Sequence, residues 1–180
     1  MEINKKYLER WKNNSLKLAI KIGLNKDTIS FIENNVKLKL IKRLPPSGNW
    51  YGWCIYDEKK PVIVVYSRNL STESISTITL ALKQKKIPQE LIDKIIKIYN
   101  QVGKMNFFEI YNQSGMDHEI IGHLYNFLEK QKHGEKAAVN IQLLFAKKRS
   151  GNFSGKNWKR VLEIMPIVLG YHKGIDELKN

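Results

Sequence analysis

The chain has 180 residues, 42% of them hydrophobic, and carries 31 Lys+Arg against 17 Asp+Glu, a formal charge of +14. The apolar content suffices for a core and excludes global disorder, and the length fits one domain spanning residues 1–180. The single cysteine, Cys54, excludes an internal disulfide and a cysteine-based zinc knuckle.

Residues 7–24 space Leu8, Trp11, Leu16, Ala19, Ile20 and Ile22 as an amphipathic helix, with Gly23 as its stop. This N-terminal helix is expected within residues 1–30. Residues 36–40 alternate Val36, Leu38 and Leu40 with Lys37 and Lys39, the period of a half-exposed strand. The run Pro45-Pro46-Ser47-Gly48 breaks it. Aromatic and β-branched runs at 50–56 and 62–66, joined by Asp57-Glu58-Lys59-Lys60-Pro61, predict a β-hairpin. Ser71 or Thr72 caps a predicted helix reaching Lys85, and Pro88 opens another reaching Gln101. Residues 107–111 read as a short strand, and strands with backing helices are expected over 34–112. Helices are predicted at 116–128 and 135–148, followed by a loop and a C-terminal helix over 157–169 that Pro166 kinks or shortens. The C-terminal helix and tail occupy 156–180. Strands first and helices after them argue for an α+β domain, with a small sheet of about 3–4 strands packed on several helices.

The chemistry concentrates in His118-Glu119-Ile120-Ile121-Gly122-His123, which holds two of only four histidines. A five-residue step on an ideal α-helix turns about 500°, leaving the two rings some 140° apart. One extra residue in the helix, a π-bulge between the histidines, brings both onto one face, and Gly122 is where such distortion is cheapest. Two imidazoles and a carboxylate suit Zn2+ and leave a fourth position for water. Glu119, directly after a ligand, is placed to act as general base. The third ligand is Glu135 if the histidine helix ends near Leu128, and Glu163 if it runs on. Glu129 would lie roughly 9 Å further along the same helix, too far to close the site. Tyr171 and His172, late in the chain, are candidate donors to an oxyanion.

The histidine run resembles the His-Glu-Leu-Leu-Gly-His signature of the dipeptidyl peptidase III family of zinc peptidases. That resemblance implies that His118 and His123 bind zinc and that Glu119 activates water. The family draws its third ligand from a Glu-x-x-Ala-Glu run. Glu135-Lys136-Ala137-Ala138 matches the first four positions, and Val139 stands where the final acid would be. The resemblance covers about ten residues in two patches, separated by far less chain than in that family. It implies a zincin-like architecture in which the active-site helix is followed by a glutamate helix.

Two functions compete at this level. The first is a zinc metallopeptidase acting on a peptide or protein, its substrate aligned on an edge strand such as 107–111. The second is a basic nucleic-acid-binding or regulatory module with structural histidines, and a catalytically inactive zincin scaffold lies between them. The +14 charge favours the nucleic-acid reading only weakly, because the basic residues are spread along the chain. Trp50, Tyr51, Trp53 and Tyr56 suit a strand core better than a base-stacking platform. The N-terminal residues resemble no secretory signal, and no apolar run approaches the roughly 18 residues of a membrane span. A soluble, cytoplasmic protein is expected.

Overall fold

The computed structural model describes residues 3–42, 52–66, 83–84, 86–151 and 155–179, apart from the side chain of His172. Seven helices are described: α1 (Lys5–Lys21), α2 (Lys26–Asn35), α3 (Gln89–Val102), α4 (Lys104–Asp117), α5 (Glu135–Ser150), α6 (Lys156–Leu162) and α7 (Met165–Lys173). Helix α4 does not stop at Asp117. It continues through a π-helical segment, His118–Tyr125, and one α-turn, Asn126–Leu128. Strands β1 (Lys37–Ile41), β2 (Gly52–Ile55) and β3 (Val62–Tyr66) form one mixed sheet in the order β1-β3-β2. Strand β3 is parallel to β1, with Leu38 opposite Ile63, and antiparallel to β2, with Trp53 opposite Val64. The fold is α+β.

The chain forms two compact units, Met1–Asn69 with Asn112–Gln142, and Leu70–Tyr111 with Leu143–Asn180. In the first, the Asn4 side chain caps α1 by accepting from the Tyr7 amide, and Leu8, Trp11, Leu16 and Ala19 form its buried face. Gly23 ends the helical turn at φ +88°, a value that suits a residue without a Cβ. The chain then turns into α2, capped by Asn25, so residues 1–30 hold one helix and the start of a second rather than one helix alone. Central strand β3 supplies Ile63, Val64 and Val65, all buried, while β1 alternates exposed Lys37 and Lys39 around buried Leu38, as its period-two pattern predicts. Helices α1 and α2 and strand β2 all pack on the π-helical segment.

The second unit is built on the amphipathic helix α3, whose Ile95, Ile98 and Val102 pack with Ile110, Val161 and Ile164. Residues 107–111 are helical here, not a strand, which corrects the sequence expectation. Gly103, at φ +82°, lets the backbone turn from α3 directly into α4, and the Phe107 amide donates to the Gly103 carbonyl. The β-preference of Phe107, Phe108 and Tyr111 yields to helical packing: Phe108 and Ile110 are buried, and Phe107 meets Tyr99 at 5.2 Å between ring centroids. The predicted C-terminal helix is divided in two at Glu163 and Ile164, and Pro166 sits in the first turn of α7, where its missing N–H costs nothing. The helix predicted after Ser71 and Thr72 lies mostly outside the described residues, as do the Pro45–Gly48 break and most of the loop before α6. No helix among the described residues is long and apolar enough to cross a membrane.

Candidate metal centre

The local winding of the chain settles whether two histidines five apart can meet. The π-helical segment spans all of His118–Tyr125, and each of its eight residues is buried. Its i→i+5 winding brings residues five apart onto one face, where an α-helix would separate them. His118 Nε2 and His123 Nε2 consequently lie 3.1 Å apart. The one-residue bulge anticipated from the spacing takes the form of more than a full turn of π-helix.

Helix α5 brings the carboxylate. Its first residue, Glu135, places one carboxylate oxygen 3.4 Å from His118 Nε2 and the other 3.6 Å from His123 Nε2. This approach depends on Gly122 and Ala138. A Cβ built on Gly122 would stand 2.6 Å from the Ala138 Cα and 2.8 Å from its Cβ, so the helices cross where neither residue carries bulk. The histidine helix ends at Leu128, the condition under which Glu135 rather than Glu163 closes the group. Glu163 caps the C-terminus of α6 in the second unit and has no part in the cluster.

Hydrogen bonds on the far side of each ring define the tautomers. His118 Nδ1 lies 3.1 Å from Gln142 Oε1, and the Gln142 amide nitrogen donates to Ser114 Oγ at 2.7 Å, which turns the amide oxygen toward the ring. His123 Nδ1 faces the backbone carbonyl of His133. Both Nδ1 atoms therefore carry hydrogen, and both Nε2 atoms present lone pairs toward each other and the Glu135 carboxylate. Such an arrangement repels itself unless a cation, either a proton or a metal ion, sits among the three groups. Histidine ligands of metals commonly hold their second nitrogen in this way. Tetrahedral zinc with bonds of 2.0–2.2 Å separates its ligand atoms by about 3.3–3.5 Å. The two histidine–carboxylate separations, 3.4 and 3.6 Å, lie close to that spacing, and the 3.1 Å between the two Nε2 atoms is shorter. His118, His123 and Glu135 could thus hold a metal ion.

Glu119 is buried beside the cluster. Its charge bears on Cys54, Tyr56 and His123. Burial pushes the Cys54 thiol up to about 12, with Glu119 adding to the rise. Tyr56 is also pushed up to about 12, first by burial and then by charge at Cys54, Glu119 and Glu135. For His123, burial disfavours the imidazolium, but hydrogen bonding to Glu135, the charge of Glu119 and the His133 carbonyl outweigh it and raise the pKa.

Tyr56, which the sequence reading assigned to a strand core, is instead 40% exposed and stands beside the cluster, a proximity not foreseen. It follows β2 directly, and its ring stands edge-on to His123 with centroids 6.3 Å apart. Only the aromatic run at 50–56 signalled it, and nothing local tied that run to a helix more than sixty residues later. Tyr171 and His172, the expected late donors, lie on α7 in the second unit, and the side chain of His172 is outside the described residues. The Lys179 ammonium lies 5.3 Å above the Tyr171 ring.

No protein-family model matches the chain, and no curated protein or solved structure matches it. The reading of the site therefore rests on its own chemistry.

Proposed function

We propose that the protein is a zinc-dependent hydrolase, a small metallopeptidase with a zincin-like centre. The observation that carries this reading is the convergence of His118 Nε2, His123 Nε2 and the Glu135 carboxylate, with each ring's Nδ1 committed elsewhere. The motif resemblance to zinc peptidases supports the same reading. A zinc ion held there supplies a water whose pKa falls to about 7. Glu119, buried in the same segment as the histidines, would serve as the general base that takes the proton of an activated water and returns it to the departing amine. Tyr56, protonated at neutral pH, donates its O–H to the carbonyl oxygen as negative charge develops, the role expected of Tyr171 or His172. Glu135 is nearly half exposed, so the centre is open to a substrate.

Protein purified without chelator is expected to carry close to one zinc per chain and to cleave members of a peptide library. Glu119→Gln should keep the zinc and the fold while losing about 10²–10⁴-fold in turnover. Unchanged turnover in Glu119→Gln removes this residue from the mechanism. Zinc-loaded protein without cleavage leaves an inactive zincin scaffold. Absence of zinc together with steep, salt-dependent affinity for DNA or RNA replaces the reading with the basic nucleic-acid-binding module.

A further inference from the structure

Three aromatic rings stand beside the metal ligands in a mutually touching group. Tyr56 lies 5.0 Å from Phe127 and 5.2 Å from His133, and Phe127 lies 5.5 Å from His133, all between ring centroids. The group is joined to the centre twice, through the edge-on contact of Tyr56 with His123 and through the His133 carbonyl that accepts from His123 Nδ1. It is also uncovered. Tyr56 is 40% exposed and its neighbour Ile55 45%, while Phe127 and His133 are half-buried.

An apolar surface left in water beside a polar centre marks a place where something apolar is bound. Its composition points to the shape of the occupant. Tilted rings 5.0–5.5 Å apart present both faces and edges, the partners that a further planar ring prefers in offset or edge-to-face contact. Continuity with His123 places that occupant next to whatever group sits on the metal.

We propose that Tyr56, Phe127 and His133 form a substrate subsite for an aromatic side chain adjacent to the bond that is cleaved. This rests on the metal-centre reading and adds the substrate class: peptides with Phe, Tyr or Trp beside the scissile bond. The hydroxyl of Tyr56 serves the chemistry and its ring serves the subsite, so the two roles are separable.

The test uses binding, which does not require turnover. Full-length protein loaded with zinc is titrated by calorimetry with two hydroxamates that differ only in a methyl or a benzyl group, and zinc uptake is measured on the same samples. The benzyl compound should bind about tenfold more tightly, as expected for burying one ring against aromatic neighbours. Tyr56→Ala and the volume-preserving Phe127→Leu should each bring the ratio toward one while zinc uptake is unchanged, and Tyr56→Phe should preserve it. Equal affinities in the wild type, or a ratio unmoved in both variants, overturn the subsite and leave the metal centre standing. Zinc uptake without binding of either hydroxamate also overturns it, because the position beside the wall is then closed. Failure of the wild type to take up zinc overturns the centre and the subsite together.

Discussion

In the first unit Lys12, Asp117, His118, Glu119 and His123 are all buried, together with six uncharged polar side chains; in the second, every buried side chain among the described residues is apolar. The second unit's core could be explained by hydrophobic burial alone. The first unit's could not, because a buried polar group costs free energy unless it is matched. Matching is what the first unit displays. Ser15 donates to Asp117 at 2.7 Å, Gln113 donates to the Trp11 carbonyl at 3.1 Å, and Gln142 connects Ser114 to His118. The polar core is concentrated in α4 and the π-helical segment, around the centre it holds in place. Stability and chemistry are thus drawn from different parts of one chain.

The sharpest way to break the contrast is to remove a ligand. His118→Ala and His123→Ala should each lower zinc affinity by about 10³-fold or more, given that structural zinc sites are worth on the order of 10 kcal/mol in total. Retention of zinc by both variants at the wild-type ratio would falsify the assignment. Ile98→Ala provides the counterpart in the apolar core. It should cost about 2–5 kcal/mol in denaturant unfolding while one zinc per chain is still taken up by the folded fraction. Gln142→Leu tests the support behind the ligand. It should weaken zinc binding about 10–100-fold with little change in far-UV circular dichroism, and an unchanged affinity would show that His118 needs no partner at Nδ1.

The smallest effect expected is one of pH. Burial opposes the charge on His123, but Glu135, Glu119 and the His133 carbonyl raise its pKa above the ordinary 6.5. In metal-free protein the resulting stability is fully present below 6.5 and is lost as pH rises through the higher folded value. A metal ion held at the cluster would compete with that proton, so the gain in melting temperature on adding zinc should grow with pH through the same window. A zinc-induced gain that falls as pH rises would contradict this sign.

Much of this was legible in the sequence because it was encoded locally. The five-residue histidine step cannot serve one face of an α-helix, so a site shared by His118 and His123 required a change of winding. Gly122 was legible as the place where backbone distortion is cheapest, and the same residue proves to be where the helix meets Ala138 of α5. Alternation in β1 and the turn between β2 and β3 were equally local signals. What escaped was tertiary. Helix α2 shows only Ile29 and Ile32 as buried apolar positions, too few for a period, although Asn25 was a usable cap. Residues 107–111 carry strand-forming side chains, but they sit inside a helix fixed by contacts along its whole length. Tyr56 reaches His123 only because β2 packs on the π-helical segment, a proximity that no local pattern records.

The π-helical segment is clamped at both ends. Before it, Asp117 is held by Ser15 of α1, and after it the Tyr125 hydroxyl accepts from the Asn25 amide while Thr28 donates to Glu129. Between these fixed points the helix contains one residue more than ordinary winding would use. That surplus behaves as an insertion absorbed where it arose: the rewound stretch is His118–Tyr125, and α-helical winding resumes at Asn126. A chain one residue shorter there would carry the same pair of imidazoles on a plain α-helix, spaced four apart. A five-residue step on a π-helix and a four-residue step on an α-helix are then two lengths of chain serving one geometry, separated by a single codon.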